Sequence, residues 1–259
     1  MAGDRTRRAL VTGASAGIGR ATAIALAEAC VEVLAVGRRE SELHETARAG
    51  QGRIQPLAAD VTIALDRGSI REILGSEPLD FLVHGAGVFP RGRLATLRLD
   101  DWRAAMATNV DARLHLVMDL RPILRGGRVL FIGSDAATHP RLGGAAYSVS
   151  KAASKMLWRC LALELGEEIA FGIAKPGLVA TAMLDLSIAA PRDEFPAGAV
   201  YQEMLERGET VAPETVAQFF RWLLLDAARA DFAREEWNIR DPSHHGDWLE
   251  GSVYTPLPF

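Results

Sequence analysis

The segment Tyr147-Ser148-Val149-Ser150-Lys151 places a phenol and an ammonium four residues apart within a run of helical periodicity. Side chains at i and i+4 share one helix face, so the cation can stabilise the phenolate. A free tyrosine has a pKa of about 10, and a neighbouring positive charge moves it toward the range useful for proton transfer. The pair is a candidate acid/base site. The same spacing also occurs on many helices as an ordinary surface pair, so the motif needs support from elsewhere in the chain.

Support comes from Thr12-Gly13-Ala14-Ser15-Ala16-Gly17-Ile18-Gly19, which follows an apolar run and opens a helical one. Glycine at these points allows a tight turn and a close backbone approach to a ligand. The helix N-terminus adds free amides and a positive dipole end suited to a pyrophosphate. The spacing is GxxxGxG, and its position between strand and helix is the context in which such a cluster binds a dinucleotide.

These motifs need a scaffold, and the chain alternates short apolar runs with helical patterns almost from end to end. Residues 8–12, 31–37, 53–58, 79–84, 128–133 and 170–175 read as strands, with a last short strand at 236–240. Helical periodicity covers 18–29, 40–49, 66–74, 101–124, 146–166 and 213–225. Near-continuous apolar strands separated by helices indicate an α/β, doubly wound parallel sheet covered on both faces. The expected organisation is one domain over 1–259, with residues 183–211 a substrate lid of loop and short helices and residues 241–259 a C-terminal tail.

Composition sets further bounds. A chain of 259 residues with 49% hydrophobic content can bury a large core. A net charge of −4 and scattered arginines leave no basic field for nucleic acid. Arg5, Arg7 and Arg8 before an apolar stretch resemble an export signal, but Gly13, Gly17, Gly19 and Arg20 interrupt the stretch, so a strand and turn explain it better. No run of about twenty apolar residues suggests a membrane span. Cys30 and Cys160 lack metal-ligand spacing, which suits a reducing cytoplasm and thiols used as small apolar residues. His244 and His245 are adjacent and point apart, so no metal site is expected.

Over about residues 8–225 the chain resembles the short-chain dehydrogenase/reductase family, with several motifs in family order. The resemblance implies a Rossmann fold and a nicotinamide dinucleotide bound by Gly13, Ser15, Gly17, Ile18 and Gly19. Asp60 and Val61 would lie by the adenine, and Ala86 and Gly87 near a ribose. The Pro-Gly turn and its following residues match Pro176, Gly177, Val179 and Thr181. Asn109, Ser134, Tyr147 and Lys151 match the family's catalytic residues. The family's Asn-Asn-Ala-Gly turn is altered here to His84-Gly85-Ala86-Gly87. Its hydrogen bonding must therefore be met differently, with His84 expected to be a buried strand-end residue that satisfies both nitrogens locally.

At the end of the second strand, where a carboxylate would receive an NAD ribose, stand Arg38 and Arg39. Planar guanidinium forks suit a 2′-phosphate, and cations near a helix N-terminus are unfavourable unless an anion is present. NADP(H) is the expected cofactor, with Arg38 the principal contact and Arg39 a second. The expected chemistry is hydride transfer to a ketone or aldehyde carbonyl. Tyr147 would supply the proton, Lys151 lower its pKa and contact the nicotinamide ribose, Ser134 polarise the carbonyl, and Asn109 hold a water that resupplies the proton.

Val88, Phe89, Leu142, Leu178, Met183 and Leu184 are candidate walls and equally candidate core, with His139 and Arg141 on the surface or facing a polar substituent. The ending is loosely similar to the sepiapterin reductase and benzil reductase branch, which brings dicarbonyl and pterin-like ketones among the substrates. Trp248, Tyr254 and Phe259 would cover the pocket or a second subunit. The resemblance also implies a homodimer or homotetramer formed through the helices carrying Asn109 and Tyr147. Two other readings share these residues: an alcohol dehydrogenase working toward ketone, and a binding protein that senses NADP(H) without turnover.

Overall fold

The computed structural model describes residues 5–233 and 236–255. Seven strands form one parallel sheet: β1 (Arg8–Thr12), β2 (Glu32–Gly37), β3 (Ile54–Ala58), β4 (Phe81–His84), β5 (Arg128–Ile132), β6 (Ala170–Lys175) and β7 (Glu236–Asn238). Their order is β3-β2-β1-β4-β5-β6-β7. Central strands read Ala9-Leu10-Val11 and Leu82-Val83 because both faces of a covered parallel sheet are buried. In register, Val11 lies between Ala35 of β2 and Val83 of β4.

Two apolar layers flank the sheet. One packs α1 (Gly17–Glu28), α2 (Glu40–Ala49) and α9 (Pro213–Leu225) against Val11, Val83 and Ile132; the other packs α3 (Ala64–Leu74), α5 (Ala112–Leu124) and α6 (Ala145–Leu165) against Leu10, Leu82 and Phe131. Strand order reverses between β1 and β4, which opens a crevice beyond their carboxyl ends. That crevice is where the glycine turn lies.

The helix expected over 101–124 is divided. α4 (Leu99–Met106) runs into a π turn at Ala107–Asp111 and then into α5. One extra residue per turn shifts the face that Asn109 presents, and such bulges are frequent at functional sites. The region 183–211 carries α7 (Ala182–Ile188) and α8 (Ala197–Glu206), and the short α10 (Arg229–Phe232) precedes β7. α5 and α6 leave Leu114, Met118, Val149, Met156 and Leu163 at least partly exposed. Among the described residues no helix is long and apolar enough to cross a membrane.

Two expectations are corrected here. Trp248 does not cover the crevice: its ring centroid lies 5.0 Å from that of Phe219 on α9, and its indole N–H donates to His244 Nδ1 at 2.9 Å. His244 and His245 are held through Nε2 by the carbonyls of Asn238 and Ile239, so both rings serve to fold the tail onto α9. Tyr254 is exposed, and Phe259 lies outside the described residues. The two cysteines are exposed rather than packed.

Cys30 occupies the position after α1 in a left-handed conformation, φ +62°, where its N–H reaches Ala27 O and Val31 N–H reaches Leu26 O. A Cβ is strained there and glycine is not. Cys30→Gly is expected to stabilise the fold by about 0.5–1 kcal/mol in urea denaturation. A loss of stability would contradict this account of the helix end.

Candidate active site

The glycine turn is built by backbone packing on backbone. Gly13 has φ +69°, and a Cβ on it would sit 2.7 Å from the Ala86 nitrogen. A Cβ on Gly19 would strike Gly13 O, and one on Gly85 would strike Thr12 O. Thr12 Oγ1 donates to Val83 O at 3.3 Å and accepts from Ala86 N–H at 3.1 Å, tying the turn to the end of β4. Gly17, at φ +54°, faces Thr181: a Cβ there would come 3.1 Å from Thr181 Cγ2. The loop carrying Pro176, Gly177 (φ +75°) and Val179, which bridges to Val211, thus closes over the start of α1. Ala16 offers no side-chain cap, so the amides at Gly17, Ile18 and Gly19 are free to receive an anion. Glycine at these contacts lets the turn lie flat against the end of β4 and leaves the helix N-terminus open to a pyrophosphate.

Beside it, Arg39 Nη2 donates to Ser15 Oγ at 3.1 Å, which sets this guanidinium at the rim of the turn. Arg38 is largely exposed and stands 3.9 Å from Asp60. Asp60 Oδ1 accepts from Thr62 N–H at 2.9 Å and Thr62 Oγ1 at 2.7 Å, and Val61 is buried beside it. These arginines do not burden the N-terminus of α2 unbalanced, because Glu40 and Glu42 occupy its first turn and Glu42 pairs with Arg39 at 3.5 Å.

Ser134 follows β5 and accepts from Ala136 N–H at 3.2 Å, so it caps the short turn at Asp135–Ala137. It also acts on the Tyr147 phenol, favouring its ionised form. On α6, Lys151 lies one turn beyond Tyr147. Its ammonium donates to Ile132 O at 2.9 Å and sits 5.4 Å from the Tyr147 ring centroid. Serine, tyrosine and lysine therefore converge beyond the carboxyl end of β5.

The electrostatics differ from the simple pairing of Tyr147 with Lys151. Burial raises the Tyr147 pKa, and what opposes burial is first Ser134 and then the charges of Arg113 and Arg91, while Tyr201 adds to the rise. Lys151 is pushed well below its usual value, first by burial and then by Arg113. Burial thus works against the charged form of both groups, the phenolate and the ammonium alike.

Asn109 is fully buried in the π turn. Its Oδ1 accepts from Val88 N–H at 2.9 Å, and its Nδ2 donates to Val88 O and Ser150 Oγ, each at 2.9 Å. Both ends of the amide hold protein groups. It fastens the loop after β4 to α6, where Ser150 Oγ in turn donates to Tyr147 O at 2.8 Å. Gly87 approaches the same amide: a Cβ there would lie 3.3 Å from Asn109 Oδ1.

The altered turn is now legible. Gly85 is required because its Cα faces Thr12 O with no room for a side chain. His84 is buried as expected, but its Nε2 has no hydrogen-bond partner, contrary to the expectation that both nitrogens are satisfied. Burial and the Arg113 charge hold its pKa well below the ordinary value, so the ring is neutral.

Phe89 stacks on Tyr147 with ring centroids 4.2 Å apart, and Arg91 lies over Phe89 at 4.6 Å from its centroid. Arg91 also donates to Phe89 O, to Ser187 Oγ and to Met183 O, joining this loop to α7. Phe195 and Tyr201 pack behind Phe89, and Leu184 is buried with them. Leu142, Met183, His139 and Arg141 are exposed, Arg141 lying 5.5 Å over the Tyr201 ring. Sequence reasoning missed Arg91, Arg113, Phe195 and Tyr201. Only Arg113 left a signal, since it begins the stripe continued by Leu116, Val117 and Leu120, where helical periodicity asks for an apolar residue.

Comparison with known proteins accords with this geometry. Residues 7–190 match the family model described as short chain dehydrogenase. The chain is 33% identical over 214 residues to 2,3-dihydro-2,3-dihydroxybenzoate dehydrogenase of Bacillus subtilis (strain 168), covering 79% of this chain and 81% of that one. The enzyme of the same name from Escherichia coli (strain K12) is 34% identical over 182 residues, 67% of this chain and 69% of that one. L-sorbose reductase from Gluconobacter frateurii, solved with NADPH and L-sorbose, superposes with a TM-score of 0.78 at 26% identity, over 90% of this chain and 94% of the other. With the glycine cradle, the serine, tyrosine and lysine, and a match across most of its length, the chain belongs to the short-chain dehydrogenase family of oxidoreductases.

Proposed function

We propose that this oxidoreductase uses NADP(H) to reduce a ketone or aldehyde to an alcohol, with Tyr147 as the general acid. The observation that carries the reading is that Lys151 Nζ donates to Ile132 O at 2.9 Å, two residues before Ser134, while lying 5.4 Å from the Tyr147 ring centroid, so serine, tyrosine and lysine share the carboxyl end of β5. A nicotinamide, when bound, supplies the hydride. The protein supplies the rest. Ser134 donates to the carbonyl oxygen and orients it, and Tyr147 gives its proton to the alkoxide as charge develops there. Asn109 holds the loop after β4 and, through Ser150, the turn of α6 that carries Tyr147.

Preference for NADP(H) is supported by the two guanidinium groups at the end of β2 and by Arg39 resting on Ser15 beside the cradle. The NADPH in the L-sorbose reductase structure is consistent with it. The aromatic wall of Phe89, Phe195 and Tyr201 favours a carbonyl with flat or apolar substituents, dicarbonyls and pterin-like ketones among them. α7, pinned to that wall by Arg91, and α8, which adds Tyr201 to it, act as its lid.

A second reading is favoured by one finding: the relatives from Bacillus subtilis and Escherichia coli are named as dehydrogenases of a dihydrodiol. The same residues then run in reverse, with Tyr147 taking the proton from a hydroxyl. Assays of NADPH oxidation with carbonyls and NADP⁺ reduction with alcohols and dihydrodiols separate the two directions.

Two outcomes are expected. Removing a guanidinium from a phosphate contact costs about 1.5–3 kcal/mol, so Arg38→Ala and Arg39→Ala together should raise KM for NADPH by roughly tenfold or more and leave KM for NADH almost unchanged. A clear preference for NADH in the unaltered protein would overturn the assignment. Tyr147→Phe should keep fold and cofactor binding but lower kcat by about two orders of magnitude or more. Retained turnover would remove Tyr147 from the mechanism.

A further inference from the structure

Two positive charges stand along the wall of the pocket. Phe89, stacked on Tyr147 at 4.2 Å, also carries the Arg91 guanidinium 4.6 Å from its centroid. The wall continues edge-on from Phe89 to Phe195 at 5.4 Å and tilted from Phe195 to Tyr201 at 5.9 Å, where the Arg141 guanidinium lies 5.5 Å from the ring. The loops that bear the two arginines are tied together: Gly92 N–H donates to Gly143 O at 2.9 Å, and a Cβ on Gly144 would come 3.6 Å from the Phe195 ring. One loop follows β4 and the other joins Ser134 to Tyr147, so both cations stand on segments that leave directly from the candidate site.

Neither cation has a carboxylate partner among the described residues. Arg91 is held by neutral acceptors, Phe89 O at 2.8 Å, Ser187 Oγ at 2.9 and 2.7 Å, and Met183 O. Those bonds pin α7 but give no use for the charge. Burial lowers the Arg91 pKa, and the groups that oppose burial are the Tyr147 and Tyr201 phenols, with no carboxylate among them. Arg141 acts on the same Tyr201 phenol, opposing the rise that burial causes there, with Arg91 next. Glu194, adjacent in the chain to Phe195, is engaged elsewhere, its carboxylate accepting from Arg93 N–H at 2.8 Å and Thr96 Oγ1 at 3.1 Å. A partly desolvated cation without a counter-ion is costly, and where the chain supplies no anion a bound molecule can.

The shape of the wall narrows the anion. A guanidinium fork takes two oxygens in one plane, and a run of rings takes a flat body, so a planar carboxylate on an aryl or conjugated frame meets both. We propose that the pocket selects a keto acid, a flat carbonyl compound whose body lies along Phe89, Phe195 and Tyr201 and whose carboxylate, set away from the carbonyl, is received by Arg141 and Arg91. The proposal rests on the crevice beside Tyr147 being the site of carbonyl reduction, and it names the substrate class for that site. Reduction then gives the hydroxy acid: hydride from NADPH joins the carbonyl carbon, the Tyr147 proton joins the oxygen, and the carboxylate is unchanged.

Binding tests this without turnover, because NADP⁺ cannot reduce a ketone. In titration calorimetry with NADP⁺ present, 4-acetylbenzoate should bind about tenfold or more tightly than its neutral isostere 4-acetylbenzamide, and added salt should narrow the margin. Arg141 is exposed, so Arg141→Gln should keep the fold while lowering the acid-to-amide ratio by about fivefold or more; Arg141→Lys should retain much of the ratio. Arg91→Gln, checked for folding by circular dichroism, should lower the same ratio. Equal affinity for acid and amide, no binding of the acid, a ratio unmoved in Arg141→Gln, or tighter binding of 4-acetylphenyl phosphate than of 4-acetylbenzoate would each overturn the proposal. Arginine-dependent binding of the acid with no NADPH oxidation would count against the proposed function alone.

Discussion

The site depends on one close contact, in which the backbone of the turn after β1 lies directly on the backbone after β4. Gly13 and Gly19 meet Gly85, Ala86 and Thr12 with no space for a single extra methyl group. This contact does two things at once. It frees the first amides of α1 to face an anion, and it fixes the loop whose next residues are Gly87, Val88 and Phe89. Asn109 then takes the Val88 backbone in both directions and passes the constraint to Ser150 on the helix of Tyr147. Cradle and acid are thus held in one frame by backbone and amide hydrogen bonds rather than by long, flexible side chains.

Within that frame the polar groups sit in a dry interior, where each charge counts for more than it would in water. Burial opposes ionisation of Tyr147 and protonation of Lys151 together. A pair that looks self-sufficient on a helical wheel is therefore not so once desolvated. Ser134 and the arginines on either side, Arg91 beyond the Phe89 ring and Arg113 below, counter the burial of the phenol. The outer arginine also ties α7 to the aromatic wall, so the closure of the pocket and the field at the phenol share a residue.

Local pattern made much of this legible from sequence. The strands from β1 to β6 and the helices α2 and α9 were readable because buried parallel strands are continuously apolar and the helices carry clear 3.6-residue periodicity. The glycine turn was readable because glycine spacing records where side chains cannot fit. The π turn was not, since inserting one residue into a helix leaves composition and periodicity almost unchanged, and so the use of both ends of the Asn109 amide stayed hidden. The tail was misplaced because aromatic residues show that something is covered without saying what; Trp248 covers α9. The balance of charge at Tyr147 is not legible in the motif, because burial sets it first, with Ser134 and then Arg113, far away in sequence, opposing.

The central claim is that a hydride delivered at the glycine cradle and a proton delivered by Tyr147 reach the same carbonyl. Its most direct measurement is isotope tracing with NADPH deuterated at the transferring position of the nicotinamide, a carbonyl panel and ordinary water. The account expects one deuterium at the carbinol carbon, delivered to a single face, and none on the hydroxyl after exchange. Product alcohol carrying no deuterium, its carbinol hydrogen drawn instead from water, would contradict it.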